Sequence, residues 1–228
     1  SYDHAISIEP NYADAFNNRG IVLKELKRFD EALVSYDHAI SIEPKFAQAY
    51  YNRGIVLQVL KRFDEALLNY DQAITIKSNY LNAINNRGVV LKELKRFDAA
   101  LDNHNMLIEL FVVGEDDFKP RGSQYKINYA KAYYNQGNTL QELKRFDEAL
   151  SSYDSAQLIH PKNYPEAWNN SGNTMQKIGR FDRALSFYNL AINAKPDYAD
   201  AYFNKSILLL LLGRYTEGWQ LYQWRFLQ

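Results

Sequence analysis

The chain has 228 residues, of which 46% are hydrophobic and 24% charged, and it contains no cysteine. This composition is typical of an ordered protein with one large or two modest domains, and the lack of cysteine excludes disulfides and thiol nucleophiles. Lys+Arg and Asp+Glu number 27 each, so no excess of positive charge favours nucleic acid or an anionic membrane as a partner. No apolar run approaches the roughly 20 residues that span a bilayer.

The first ten residues, SYDHAISIEP, recur letter for letter at 35–44. We interpret residues 1–12 as the end of a partial repeat, the second half of a helix whose partner is missing, and we therefore expect the chain to be a fragment of a longer protein. The uncovered apolar face is a candidate surface for end-to-end stacking of two copies. Because no secretory signal is visible, we expect a cytoplasmic location.

A turn motif of Lys or Gly, then Arg, then Phe or Tyr sets the period of the chain. Its aromatic residue recurs with steps of 34, 34, 49, 35 and 34, at Phe29, Phe63, Phe97, Phe146, Phe181 and Tyr215. Apolar residues on both sides follow helical spacing, so each period predicts two antiparallel helices joined by the motif. The predicted repeats are 13–46, 47–80, 81–110, 130–164, 165–198 and 199–228.

Small and aromatic residues recur at fixed positions, counted from the first residue of each repeat. Position 8 is Gly and position 20 is Ala in the first five repeats, and position 24 is Tyr in every repeat except the third. Small residues let paired helices approach closely, and aromatic rings fill the space beside them. This pattern resembles the tetratricopeptide repeat family. The resemblance implies an all-α, right-handed superhelical solenoid of antiparallel helix pairs over 1–228, with the first helices on a concave face.

The third repeat and the segment after it depart from the pattern. His104 replaces the Tyr of position 24 and Leu107 replaces an Ala, so we expect this hairpin to pack irregularly. The surplus residues 111–125 contain Gly114, Pro120 and Gly122, which predicts a loop and then an early start of the next helix, within an insertion over 111–129. The length of this segment is compatible with a tolerated insertion and with a loop over the groove edge.

Position 6, on the first helix, is Asn in every repeat. Asn is a mediocre helix former, so helix stability does not explain its recurrence. A carboxamide presents a donor and an acceptor together, which matches the N–H and C=O of an extended peptide backbone. We therefore predict that a row of amides binds peptide in the groove, formed by Asn18, Asn52, Asn86, Asn135, Asn170 and Asn204.

Two interpretations of this row remain open. Its resemblance to the asparagine ladder of protein O-GlcNAc transferases implies that the amides hold a polypeptide. In the alternative, the amides bond to the backbone of the neighbouring helix and set the packing between repeats. Position 5 is expected to add flanking contacts to the groove, from Asn17, Tyr51, Asn85, Tyr134, Asn169 and Phe203.

A second groove chemistry is disfavoured. The carboxylate clamp of chaperone-binding tetratricopeptide domains needs basic residues in its third repeat, on the first helix. Lys131, Asn135 and Asn170 fit that pattern, but Asp200 and Asn204 stand where the further basic residues belong. We do not expect this mode of binding.

The sequence contains no recognisable catalytic constellation, so we predict a non-enzymatic scaffold that binds a protein or extended peptide without a cofactor or metal. The four histidines have no metal-ligand spacing: His4, His38, His104 and His160. The C-terminal stretch with Gly218, Trp219 and Trp224 resembles the last repeat of bacterial tetratricopeptide proteins that continue into a glycosyltransferase-like domain. The alternative function is therefore a substrate-recruiting arm of a bacterial protein glycosyltransferase whose catalytic domain lies outside this chain.

Overall fold

The computed structural model describes residues 2–113, 123–160 and 164–227. These residues form thirteen α-helices and a terminal 3-10 helix, Gln223–Leu227, with no β-strand among them. The α-helices are α1 Tyr2–Ile8, α2 Ala13–Glu25, α3 Phe29–Ile42, α4 Ala47–Val59, α5 Phe63–Ile76, α6 Leu81–Glu93, α7 Phe97–Val113, α8 Ser123–Glu142, α9 Phe146–Ile159, α10 Pro165–Lys177, α11 Phe181–Ala194, α12 Ala199–Leu211 and α13 Tyr215–Tyr222. The predicted all-α fold of helix pairs is confirmed.

The helices pack as consecutive pairs, and the first helix of a repeat also packs against the second helix of the repeat before it. The chain divides into two compact units, Ser1–Leu110 and Phe111–Gln228. We call them unit 1 and unit 2. One continuous solenoid over 1–228 stays a prediction.

The turn motif ends the first helix of each repeat in a Schellman motif. Lys27 adopts a left-handed conformation with φ 58°, its N–H bonds to the Lys24 carbonyl at 2.9 Å, and the Arg28 N–H bonds to the Leu23 carbonyl at 2.9 Å. The same conformation occurs at Lys61, Lys95 and Lys144, and the last two turns use glycine, at Gly179 and Gly213. The first residue of the turn motif, Lys in four repeats and Gly in the last two, is therefore the residue with the left-handed conformation.

The core of each hairpin depends on the contact between positions 8 and 24. A Cβ atom added to Gly20 would lie 2.6 Å from a ring carbon of Tyr36, so only glycine leaves room for the buried ring. In the third repeat the His104 ring lies against Gly88 in the same way, although Leu107 and a longer second helix distinguish this hairpin. Leu107 is buried in place of the usual Ala.

The insertion is more helical than its composition predicts. Helix α7 continues to Val113 and α8 begins at Ser123, so the loop predicted over 111–125 is wrong at both ends, whereas the early start of the next helix is confirmed. The cause is aromatic packing: the buried Phe111 ring lies 5.0 Å from Tyr125 and 5.1 Å from Tyr129, and the Tyr125 hydroxyl donates to the Phe111 carbonyl. The remainder of the insertion, 114–122, lies outside the described residues.

The first helices form the inner side of each unit. Successive first helices contact one another, α2 with α4 and α4 with α6 in unit 1, and α8 with α10 and α10 with α12 in unit 2. In the parts of the chain that the structure describes, α3 does not contact α5, and α11 contacts neither α9 nor α13. Each stack therefore bends towards its first helices. None of the described helices is long and apolar enough to cross a membrane.

Candidate functional site

The position-6 amides join neighbouring first helices through side-chain hydrogen bonds. Asn52 Nδ2 donates to Asn17 Oδ1 at 2.9 Å in unit 1, and Asn204 Nδ2 donates to Asn169 Oδ1 at 3.0 Å in unit 2. In both cases the partner occupies position 5 of the preceding repeat. Position 5, predicted as a flanking contact, is thus also the acceptor for the next repeat.

Where position 5 is Tyr, the same link is made to a phenol. Asn170 Nδ2 lies 3.2 Å from the Tyr134 hydroxyl and 2.8 Å from Asn138 Oδ1. Burial raises the pKa of Tyr51, and a hydrogen bond with Asn86 opposes that shift. Three of the four steps between first helices inside the two units therefore use a described hydrogen bond from a position-6 Asn, namely Asn52, Asn170 and Asn204. The packing interpretation expected backbone partners, but the partners described are side chains.

Burial separates the predicted residues into two groups. Asn52 is 6% exposed, and Asn17 and Asn169 are each 4% exposed, so these three amides lie inside the stack. The other position-6 residues are half-buried, namely Asn18, Asn86, Asn135, Asn170 and Asn204. The other position-5 residues are half-buried as well: Tyr51, Asn85, Tyr134 and Phe203. Peptide contact by these residues stays a prediction.

Unit 2 also presents amides beyond the predicted position-5 and position-6 residues. Positions 9 and 12 of its first two repeats carry Asn138, Gln141, Asn173 and Gln176. The Tyr153 hydroxyl lies 2.9 Å from Asn138 Oδ1, and the Tyr188 hydroxyl lies 2.8 Å from Asn173 Oδ1 and 2.9 Å from Gln176 Oε1. The available signal was the change at position 9 from Ile or Val in unit 1 to Asn in these repeats.

An open cleft of about 640 Å³ lies on the inner side of unit 2, between α10 and α12. Side-chain amides from α8 and α10 form one wall, and apolar side chains from α12 form the other. We call it the α10–α12 cleft. It is lined by Gln141, Asn173, Gln176, Lys177, Phe181, Phe203, Asn204, Ile207 and Leu211.

The position-7 arginines of unit 1 take part in pairing between repeats. Arg53 Nε lies 2.7 Å from Asp37 Oδ1 and Arg87 Nε lies 2.5 Å from Asp71 Oδ1, and each aspartate belongs to the preceding second helix. These guanidinium groups are already engaged with carboxylates, so they do not form a free cationic row. Within the described residues, no three His, Asp or Glu side chains group as a potential metal site.

Sequence models of the tetratricopeptide repeat match residues 13–46 and 47–80, and a second model of the same repeat matches 128–197. The chain belongs to the tetratricopeptide repeat family. The matches lie in both units and include the hairpins that carry Asn18, Asn52, Asn135 and Asn170. No curated protein sequence matches the chain significantly.

Solved tetratricopeptide structures have the same fold. The chain is similar to YrrB, described as "a TPR protein with an unusual peptide-binding site", with 25% identity and a TM-score of 0.67 over 90% of this chain and 97% of that one. It is also similar to PilF of Pseudomonas aeruginosa, with 18% identity and a TM-score of 0.72 over 92% of this chain and 88% of that one. A third similar structure is that of PilW, a type IV pilus biogenesis factor, with 18% identity and a TM-score of 0.75 over 92% of this chain and 90% of that one.

Proposed function

We propose that this chain is a protein-interaction module that binds extended polypeptide along the inner side of its units through side-chain amides. The observation that carries the proposal is the row of half-buried position-6 amides on the first helices. Asn170 and Asn204 are held in fixed orientations by hydrogen bonds to the preceding repeat, so these two side chains lose little freedom when a ligand binds.

The amides in this row retain capacity for further hydrogen bonds. A carboxamide oxygen accepts two bonds and its nitrogen donates two. Asn204 uses one donor on Asn169, and none of the hydrogen bonds described within the chain involves the Asn18 side chain. The row can therefore offer both acceptors and donors to the backbone of a polypeptide.

Binding of this kind is expected to be weak and tolerant of sequence. Each hydrogen bond contributes about 0.5–1.5 kcal/mol net, so five or six of them near the upper end of this range are needed for an affinity on the order of micromolar. Successive repeats present equivalent groups, and a backbone offers the same groups in every residue. YrrB is a tetratricopeptide protein with a peptide-binding site, and its chain is 25% identical to this one. This similarity supports the proposal.

The test uses the full chain and three fluorescein-labelled 15-residue peptides of unrelated, unstructured sequence. Asn18→Ala removes none of the described hydrogen bonds within the chain, whereas Asn204→Ala also removes the bond to Asn169. Each substitution should weaken all three peptides by a similar factor of about five, measured by fluorescence anisotropy.

The matched control is Asn193→Ala, which removes an exposed amide from α11 on the outer side of unit 2. Its affinities should equal those of the original chain, and circular dichroism should show unchanged helix content in all variants. Loss of affinity for one peptide alone would contradict backbone recognition. Failure of all three peptides to bind would overturn the proposed function.

A further inference from the structure

We infer that the α10–α12 cleft binds an extended polypeptide at a large apolar side chain, with Asn173 and Gln176 bonding to the backbone beside it. This inference rests on the proposed function and adds a preference that amide recognition alone does not provide. Its occupant is an internal segment of a partner polypeptide that carries a residue such as Leu, Ile or Phe.

The hydroxyl of Tyr188 determines what the amide wall offers. It lies 2.8 Å from Asn173 and 2.9 Å from Gln176, yet a phenol has a single proton to donate. Both amide oxygens face the hydroxyl, but it can donate its proton to only one of them. A 180° rotation of the other carboxamide exchanges its oxygen and nitrogen, so that this amide donates an N–H to the hydroxyl. One of the two side chains then directs its NH₂ group away from Tyr188, and the other directs its oxygen away.

The two amides thus present one donor and one acceptor side by side. Residues three apart on a helix lie on the same face, about 5–6 Å apart between Cβ atoms. Both side chains line the cleft, and both are held by the buried Tyr188 ring. An extended polypeptide offers the complementary acceptor and donor in its backbone C=O and N–H groups.

The opposite wall, on α12, is apolar apart from Asn204. Phe203, Ile207 and Leu211 follow one another at intervals of four residues on α12, so they form a stripe on one side of that helix. Ile207 is 38% exposed and Leu211 is 64% exposed, which leaves apolar surface available to a ligand. The cleft volume of about 640 Å³ leaves room for a large side chain together with its backbone.

The charge of the lining favours a neutral segment. Lys177 is the charged residue that lines the cleft, and its side chain is exposed at the end of α10. A basic side chain would gain no ion pair from this lining, and an acidic one would gain only a weak, exposed pair with Lys177 while its charge lies against the apolar stripe. An aliphatic or aromatic side chain buries apolar area against α12 without either cost.

The test uses fluorescein-labelled 12-residue peptides of Gly and Ser, one with a central Leu and one with Ser in its place. The full chain should bind the Leu peptide about tenfold more tightly than the Ser peptide. A third peptide, in which an ester replaces the amide at Leu and so removes its N–H, should bind a few-fold more weakly than the Leu peptide.

Two variants locate the preference. Leu211→Gln and Ile207→Gln change side chains of the apolar stripe and should each reduce the tenfold preference to about twofold. Leu190→Gln changes a side chain of similar type that is 41% exposed on α11, outside the cleft, and should leave the preference unchanged.

The outcomes separate this inference from the proposed function. Equal binding of the Leu and Ser peptides by the original chain overturns the inference and leaves backbone recognition standing. A Leu preference that survives both Leu211→Gln and Ile207→Gln places the apolar contact elsewhere and also overturns it. If neither peptide binds, the proposed function fails together with the inference.

Discussion

Asn52 donates a hydrogen bond to Asn17 at 2.9 Å, and this bond joins the first helices of two successive repeats. Both amides are buried, and Asn52 Oδ1 also lies 3.2 Å from Gln48 Nε2. Buried polar groups are costly unless they are paired, so each amide depends on the other. A contact predicted to hold a ligand is therefore also part of the packing between repeats.

Asn52→Ala should lower the free energy of unfolding by about 1–3 kcal/mol, because it leaves the Asn17 amide buried without its donor. The double variant Asn17→Ala with Asn52→Ala should cost less than the sum of the two single changes, since neither group is then left unpaired. The measurement is urea denaturation followed by circular dichroism at 222 nm.

Asn193→Ala is the control for this cycle, because its side chain is exposed on α11 and its loss should change stability by less than about 0.5 kcal/mol. If the changes in the free energy of unfolding caused by Asn17→Ala and Asn52→Ala simply add in the double variant, the hydrogen bond between the two residues contributes nothing to the link between repeats.

Lys61→Gly should stabilise the chain by about 1 kcal/mol. Lys61 has φ 58°, a conformation that costs an L-residue about 1–2 kcal/mol and costs glycine almost nothing. The greater freedom of glycine in the unfolded chain reduces the gain. Differential scanning calorimetry should therefore show a higher unfolding temperature.

The reverse change is the matched comparison. Gly179 occupies the same place in the fifth repeat with φ 77°, and no atom lies within 4 Å of a Cβ added there. Gly179→Lys should therefore destabilise the chain through backbone strain alone, by a similar amount. A Gly179→Lys variant as stable as the original chain would contradict this explanation of the turn.

The helix pairs could be predicted because the signals that produce them are local. The Lys-Arg-Phe turn, the Gly at position 8 and the Tyr at position 24 each act within one hairpin, as the contact between Gly20 and Tyr36 illustrates. Because the same signals recur in every repeat, an ambiguous residue in one hairpin does not change the prediction of the helix pairs. The buried His104 was also identifiable, since it interrupts a column of Tyr residues.

The role of the Asn row could not be read from one repeat, because its bonds cross between repeats. The partner of Asn52 lies 35 residues away and the partner of Asn170 lies 36 residues away. Spacing along one helix places these amides on a face but does not identify what they contact. The continuation of α7 to Val113 was missed for the same reason, since the contact between Phe111 and Tyr125 spans the residues that predict a loop.

Two tyrosines in equivalent positions should respond differently to loss of the hydroxyl. The Tyr36 hydroxyl is buried without a hydrogen-bond partner, whereas the Tyr188 hydroxyl contacts two amides. Tyr36→Phe should leave stability unchanged or raise it slightly, because it removes a buried unpaired group. Tyr188→Phe should lower it by about 1–3 kcal/mol.

The comparison uses the midpoints of urea denaturation for the two variants and the original chain. The rings have the same volume in both variants, so packing against Gly20 or Gly172 is preserved. Equal destabilisation by the two substitutions would mean that the amides of positions 9 and 12 do not stabilise the hydroxyl.

His104 should make the stability of the chain depend on pH. Burial lowers its pKa to about 4, and the charge of Lys92 contributes to the shift. Its ordinary value is about 6.5, so between these two pH values the unfolded chain binds a proton that the folded chain does not. The contribution of His104 to the free energy of unfolding is fully present above about pH 6.5 and is lost as the pH falls towards 4. The loss is on the order of 3 kcal/mol.

His104→Phe should remove this dependence, because Phe carries no proton and the other repeats accommodate an aromatic ring at the same position. Carboxylates titrate in the same range, so the quantity to compare is the difference in unfolding free energy between the variant and the original chain at each pH from 4 to 7.5. That difference should grow as the pH falls below 6.5. A constant difference between His104→Phe and the original chain across this range would show that His104 is protonated as readily in the folded state as in the unfolded one.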